Sequence, residues 1–526
     1  MHASRPGLAT LALCALTLGA GCVAPEFDVP ISFVVPDGHD SFDGLDHLAF
    51  TADYGGGLAY DFWLAAPESG STWDIPSVPA GDVVILDFQG LLDDGLGGGD
   101  QVVAASGSVG PLAIGPELGG ASVLFTRRGR VGRLAGALDE GRRDPMTAVL
   151  PDGRVLALGG SRGTEDDGDP TPVASASILG VDGREGSWAF TAVDAMRGPR
   201  MDGAALTITD SGTAMDGKVL VLGTLSLIER RSQFVTVDFD ADELAEAETV
   251  GMPEVFDPAD GSWSDFSVAD GWEAESARSF FTATQVGDRV FVVGGVHYLE
   301  EAGEPALQVT SDCFTIDLDD GDVTRLAVMD DTRWAHTTTP LRDGRLLVIG
   351  GANVPTSQQT YPESTQVEAY DPVADEWTDI GDLEPGRADQ VAALLPDGRV
   401  LVAGGVTEIE TVALGDSWIF DPSTDTFTAD ADMVTPRVRA NDLVLPDGRV
   451  LVCGGENADQ EPVSGCEIWT PGDGGPGIWS PMPDPGVGWD ARTGAALATL
   501  PGGEAAIIGG LDTEGGYTTD VLVVRP

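Results

Sequence analysis

Val391-Ala392-Ala393-Leu394-Leu395-Pro396-Asp397-Gly398-Arg399-Val400-Leu401-Val402-Ala403-Gly404-Gly405 decides the fold. Two short apolar runs flank Asp397-Gly398, a pair that reaches positive φ at low cost and so closes a tight hairpin. The second run ends on two glycines. Near copies of the turn stand at Pro151-Asp152-Gly153-Arg154 and Pro446-Asp447-Gly448-Arg449, with partial copies at Asp343-Gly344 and Asp216-Gly217. The Gly pair recurs at Gly159-Gly160, Gly294-Gly295, Gly350-Gly351, Gly454-Gly455 and Gly509-Gly510, and in degenerate form at Gly223-Thr224. Successive first glycines lie 64, 71, 56, 54, 50 and 55 residues apart, which makes seven units. A fixed period of this size is the mark of a repeat architecture.

Each unit carries further fixed parts. After a variable loop a third strand ends as Val367-Glu368-Ala369-Tyr370-Asp371-Pro372, with relatives at Phe256-Asp257-Pro258, Phe420-Asp421-Pro422 and Trp469-Thr470-Pro471. Seven residues separate Tyr370 from Trp377, Phe256 from Trp263, Phe420 from Phe427 and Val181 from Trp188, a step that suits cross-strand pairing in a hairpin. An arginine opens each unit: Arg142, Arg200, Arg278, Arg333, Arg387, Arg437 and Arg492. A residue required in every unit belongs to construction rather than to ligand choice.

The Gly pairs, the aromatic step and Arg333-Trp334-Ala335-His336 together resemble the kelch repeat over residues 128–526. The resemblance implies an all-β chain with a seven-bladed kelch-type β-propeller of four-stranded blades around a channel. The last unit holds three strands, ending at Val521-Leu522-Val523-Val524, and residues 131–138 read as its missing fourth strand. Such a strand latches the ring, because its loss leaves an open sheet edge.

The preceding part differs. Strand-like runs at 31–35, 47–51, 58–65, 83–89, 101–106 and 121–126, separated by Gly, Pro and Asp clusters, predict a small Ig-like or transthyretin-like β-sandwich over 31–127. Residues 1–21 read as a signal peptide, with Arg5 before an apolar run from Leu8 to Leu18 that is too short to span a bilayer. Leu18-Gly19-Ala20-Gly21-Cys22 resembles a bacterial lipobox. That resemblance implies lipid on Cys22, a linker over 22–30, and, with Val23 next, an outer-membrane or surface location; plain secretion or a periplasmic location is the alternative.

Composition narrows the function. The 71 glycines and 34 prolines fit many short strands and turns, and the formal charge of −58 repels phosphate backbones, so no nucleic-acid partner is expected. The membrane is expected to be touched only through the anchor, and the protein to be a monomer. Function is expected where the units differ, in the loops at 161–174, 225–252, 296–312, 352–366, 406–416 and 456–465. Glu165, Asp166, Asp167 and Asp169 crowd one loop and are candidates for calcium or a basic ligand; the run from Asp93 to Asp100 is a second oxygen-rich loop. His297-Tyr298 follows one Gly pair and is placed near His336. No cofactor is expected beyond possible calcium. Cys453 and Cys466 lie on neighbouring strands of one unit and are predicted to form a disulfide, as export permits. The predicted role is non-catalytic binding of a protein or glycan by the variable-loop face. The alternative is a secreted carbohydrate-active enzyme of kelch type, oxidase- or epimerase-like; only fragments of the oxidase's Tyr, His and Cys set are present.

Overall fold

The computed structural model describes residues 26–27, 31–36, 45–54, 59–65, 78–79, 81–83, 85–93, 101–109, 112–114, 121–128, 130–163, 170–181, 188–223, 228–231, 234–237, 251–268, 272, 278–301, 304–353, 363–407, 412–482 and 491–526. Among the described residues every regular element is a β-strand, as the repeat reading requires.

The Pro-Asp-Gly-Arg turn shows why the hairpins form. Val391–Leu394 and Val400–Ala403 pair antiparallel, Val391 opposite Ala403. Gly398 donates its N–H to the Leu395 carbonyl at 2.9 Å. Arg399 folds back on Asp397, its backbone N–H on Oδ1 at 3.0 Å and its Nε on Oδ2 at 2.8 Å. The same clasp joins Arg154 to Asp152, Arg345 to Asp343 and Arg449 to Asp447.

Seven four-stranded antiparallel sheets follow. Their first strands, which number the sheets 1 to 7, are Met146–Val149, Ala204–Thr207, Thr282–Val286, Thr337–Pro340, Val391–Leu394, Asn441–Val444 and Ala496–Thr499. Each touches the next, and Ala496–Thr499 touches Met146–Val149, so the sheets close into a propeller-like ring around a channel. The second strands are buried at every residue, except at Arg289 of sheet 3, because neighbouring sheets cover both of their faces. The aromatic step is a cross-strand pair between third and fourth strands. Tyr370 stands opposite Trp377 with ring centroids 5.1 Å apart, and Phe256–Trp263 and Phe420–Phe427 repeat the contact at 5.1 and 5.0 Å. In sheet 6 Cys453 stands opposite Cys466, with Cα atoms 4.1 Å apart and the sulfurs joined.

Sheet 7 takes its outer strand from before the ring. Arg130–Ala137 pairs with Asp520–Arg525, Val131 opposite Val524. Leu134, Leu138, Val521 and Val523 share one core with Val155, Leu179 and Trp188 of sheet 1, so this strand is sealed under the joint between the last and first sheets.

The N-terminal residues form a five-stranded sheet, in the order Ala59–Ala65, His47–Asp53, Ile85–Asp93, Gln101–Val109, Thr126–Arg127. A parallel ribbon of Ile31–Val34 and Ala121–Leu124 packs on it through Phe33, whose ring lies 5.2 Å from both Phe88 and Phe125. The boundary drawn at 127/128 falls inside a shared core. Leu124 packs with Ala506 and Val523 of sheet 7, and Thr126 Oγ1 donates to Glu504 Oε1 at 2.8 Å. Glu504 is fully buried and also accepts from Arg525 Nη1 at 3.0 Å, while Arg525 reaches Ser106 of the N-terminal sheet.

The Gly pairs are sterically required. Gly350 has φ 65°, and a Cβ there would lie 2.2 Å from the Arg387 carbonyl of the next sheet. A left-handed Cβ alone costs about 1–2 kcal/mol, and the clash adds to it. Gly350→Ala is expected to lower stability by more than about 2 kcal/mol. Gly475→Ala, where a Cβ meets nothing within 4 Å, is the control for the thermal melts. Equal melting of the two variants refutes the packing argument.

Candidate functional site

The seven repeat arginines are buried, 0–3% exposed. Each sends Nη1 to the carbonyl of its own sheet's first glycine: Arg142 to Gly159 (3.2 Å), Arg278 to Gly294 (3.2 Å), Arg333 to Gly350 (3.0 Å), Arg387 to Gly404 (3.2 Å), Arg437 to Gly454 (2.7 Å) and Arg492 to Gly509 (3.3 Å). Arg200 does the same to Gly223. Carboxylates complete the shell where the fold allows it: Glu254 for Arg200 (2.7 Å), Glu368 for Arg333 (2.6 Å) and Glu467 for Arg437 (3.3 Å), all buried. These arginines are thus frame, as their repetition implied.

Two residues beyond each arginine the chain turns left-handed. Asp144, Asp202, Phe280, Ala335, Asp389, Arg439 and Gly494 have φ between 50° and 60°. They stand at equivalent places around the ring of sheets, and four main-chain bonds link neighbours among them. Asp144 N–H reaches the Gly494 carbonyl (2.6 Å), Phe280 that of Asp202 (2.9 Å), Asp389 that of Ala335 (3.0 Å) and Arg439 that of Asp389 (3.0 Å). The frame is uniform, yet the side chains on it are carboxylate, aromatic, methyl, guanidinium and hydrogen. This is the place where seven equivalent positions differ.

All of these but Gly494 line a cavity of about 300 Å³ together with Arg143, Ser161, Met201, Phe281 and His336. Arg439 spans two acids, Nε to Asp389 Oδ2 at 3.1 Å and Nη1 to Glu456 Oε2 at 3.0 Å. Glu456 in turn accepts from Thr493 Oγ1 at 2.5 Å. Arg143 Nε meets Asp144 Oδ2 at 2.8 Å, and that carboxylate raises the guanidinium's pKa. Asp144, Asp202, Arg439 and Gly494, with Met146, Ala204, Asn441 and Ala496, line an adjoining open space of about 360 Å³.

The loops after the Gly pairs rise beside this mouth. Arg143 bridges to Ser161, Trp334 to Ala352, Ala388 to Val406, Val438 to Glu456 and Thr493 to Leu511. Each bridge ties the residue after a repeat arginine to the start of a variable loop. Several loops extend as ribbons, such as Val296–Glu301 with Glu304–Val309.

The residues singled out from sequence fall in different places. Cys22, Glu165, Asp166, Asp167, Asp169 and the loop 94–100 lie outside the described residues. His297 pairs in register with Arg278, and Tyr298 is buried in the same ribbon, 1% exposed. His336 lines the cavity, whereas His297 is not among its lining residues. Tyr370 is a core residue whose OH donates to Asp375 at 2.8 Å. Cys313 is buried and its thiol is pushed up to about 12, chiefly by that burial. Among the described residues no group of three His, Cys, Asp or Glu stands together as metal ligands. The left-handed ring was not anticipated; its signal was the position two after each arginine, where residue type varies on a constant spacing.

No protein family and no curated protein matches this chain. Among solved structures 538 chains match. One, titled "Structure of YjhT", is 14% identical, with a TM-score of 0.45 over 65% of this chain and 99% of that one. Likeness at that level transfers no activity.

His336 supplies a test of the frame. Its Nε2 lies 3.1 Å from Thr282 Oγ1 on the neighbouring sheet, and Gln390 holds the equivalent place one sheet on, donating to Ile349 O at 2.7 Å. Burial, then Arg333, pushes the imidazole down to about 3 from 6.5. The unfolded chain therefore takes up a proton that the folded chain refuses, and stability falls as pH drops below about 6.5. Between pH 7 and 5 this one group should remove about 2 kcal/mol. His336→Gln should fold and lose less stability over that interval than the wild type. Identical pH slopes in chemical denaturation would mean that His336 is not held neutral.

Proposed function

We propose that this protein is a non-catalytic binding module of the seven-bladed kelch type, taking a protein or glycan ligand at the channel mouth and the loop rim around it. The observation that carries the reading is the contrast at the mouth. A constant frame of buried arginines and Gly pairs holds seven equivalent positions whose side chains differ, and six of them line a cavity of about 300 Å³. Most of the charged groups there, Arg143 with Asp144 and Arg439 with Asp389 and Glu456, stand in mutual ion pairs, an arrangement that fixes shape and polarity. The groups most displaced from their ordinary pKa, His336, Cys313 and Tyr370, are buried in the frame. Export and attachment through lipid on Cys22, at the outer membrane or cell surface, complete the proposal; they rest on residues 1–23 alone. Asp442, on the first strand of sheet 6, favours the second reading, a carbohydrate-active enzyme: burial pushes its carboxyl up to about 6, where it can exchange a proton near neutrality.

The two readings separate in one experiment. The exported chain carrying Cys22→Ser is screened on a glycan array and in pull-downs, and the ligand found is titrated into two variants. Asp389→Ala/Arg439→Ala, at the mouth, is expected to weaken binding about tenfold or more, whereas Asp397→Ala, in a hairpin turn at the other end, leaves it unchanged. Equal effects refute the mouth as the site. Turnover of a bound sugar that Asp442→Asn abolishes establishes the enzyme instead.

A further inference from the structure

We infer that the Cys453–Cys466 disulfide is a redox-operated clasp. Closed, it holds Glu456 across the seam between sheets 6 and 7; opened by a dithiol, it frees Glu456 and loosens that seam while the other sheets stay joined. The clasp works whatever ligand the mouth takes. At other seams the second glycine of a pair donates its N–H to the next sheet's arginine carbonyl, as Gly295 does to Arg333 at 2.7 Å and Gly351 to Arg387 at 2.8 Å. Between sheets 6 and 7, among the described residues, Gly455 makes no such bond to Arg492. A small cavity of about 20 Å³ lies there, lined by Asn441, Cys453, Gly455 and Arg492 among others.

Glu456 takes over at this seam. Its Oε1 accepts from Thr493 Oγ1, beside Arg492, at 2.5 Å, and its Oε2 accepts from Arg439 Nη1 at 3.0 Å. Glu456 and Thr493 are both buried, so their bond is shielded from water. Asn441 Nδ2 adds a second bond across the seam, to the Ala495 carbonyl at 2.5 Å. Glu456 stands three residues past Cys453, on the loop 454–465 that the disulfide closes. The carbonyls of Gly454 and Gly465, just inside the bridge, both accept from Arg437 Nη1, at 2.7 and 3.1 Å. Bridge and guanidinium together pin the base of the loop that carries Glu456.

Other sheets dispense with the bridge. The same two positions hold Leu158 and Ala176 in sheet 1, Val293 and Cys313 in sheet 3, and Ile349 and Val367 in sheet 4. Each of those sheets has the main-chain bond to its neighbour, from Gly160, Gly295 and Gly351. The cross-link therefore stands where the main-chain joint is missing. Opening it follows ordinary exchange: a thiolate of the dithiol attacks one bridge sulfur to give a mixed disulfide, and its second thiol then closes on the first. Two electrons and two protons pass to Cys453 and Cys466, which become thiols, and the dithiol becomes a cyclic disulfide. Two thiols need more room than a bond of about 2 Å. The cavity beside Cys453, large enough for about one water, provides it.

The test uses the exported Cys22→Ser chain at neutral pH, with and without dithiothreitol, followed by alkylation mass and by hydrogen exchange. Cys313, buried in sheet 3, is the internal monitor of global unfolding. Dithiothreitol is expected to make Cys453 and Cys466 alkylatable while Cys313 stays protected. The amides of Glu456 and Val463, bonded to the Val438 and Gly455 carbonyls at 2.8 and 2.9 Å, should then exchange about tenfold faster or more, and those of Gly295 and Gly351 should stay within about twofold. Cys453→Val recreates the Val293–Cys313 pair of sheet 3 and should show the fast exchange with or without dithiothreitol. The inference is overturned if the bridge resists the dithiol until Cys313 is also alkylated, or if all of these amides accelerate equally, which would make the bridge a general staple. It is overturned as well if the bridge opens and Glu456 and Val463 exchange as before.

Discussion

The whole ring depends on one joint, used again and again. A buried arginine grips the carbonyl of its own Gly pair, and the pair's second N–H grips the carbonyl of the next arginine. The second half is seen in Gly160 on Arg200 (2.8 Å), Gly295 on Arg333 (2.7 Å), Gly351 on Arg387 (2.8 Å) and Gly405 on Arg437 (2.8 Å), and it closes the circle in Gly510 on Arg142 at 2.7 Å. The same arginine thus serves two sheets, with its side chain in one and its backbone in the next. Glycine is required at Gly159, Gly294, Gly350, Gly404, Gly454 and Gly509 because the next arginine's carbonyl occupies the space a Cβ would need.

Burying seven guanidinia is expensive unless each is paired or hydrogen-bonded. Burial pulls the pKa of Arg142, Arg200 and Arg437 below its ordinary value, and nearby carboxylates pull it back. Removing one partner of such a pair typically costs about 3–5 kcal/mol, far more than a surface salt bridge returns. The joint therefore specifies spacing as well as stability. It leaves the residue two beyond each arginine facing the channel mouth in a fixed backbone conformation, so its side chain can vary without disturbing the frame. Sheet 7 is held from both sides. Its first strand touches sheet 1, and its outer strand continues from the N-terminal sheet, whose Thr126 and Ser106 meet Glu504 and Arg525.

Much of this was legible in the sequence because it repeats. The hairpin turns, the Gly pairs, the aromatic step and the strand at 131–138 each leave a periodic trace, and the observed strand spans 130–137. The disulfide position was readable because both cysteines fall on strands that the repeat places side by side. The shared core at 124–127 was not readable, since Leu124, Thr126 and Glu504 meet across 378 residues with no repeat to announce them. The mouth ring was missed for the opposite reason: its positions are constant in place and inconstant in chemistry, so no residue type marks them. The acidic loops and the scarce histidines are conspicuous by residue type, yet His336 belongs to the inter-sheet frame.

Native-state hydrogen exchange at the joint glycines tests the central claim most directly. If the arginine and Gly-pair joints form one cooperative ring, the amides of Gly160, Gly295, Gly351, Gly405 and Gly510 should all exchange only through global unfolding, at rates within about a factor of ten of one another. Gly510 is the decisive one, because its bond to Arg142 joins the last sheet to the first. Exchange of Gly510 about a hundredfold faster than the other four would show that the ring opens locally at that seam, and that closure is not what holds it together.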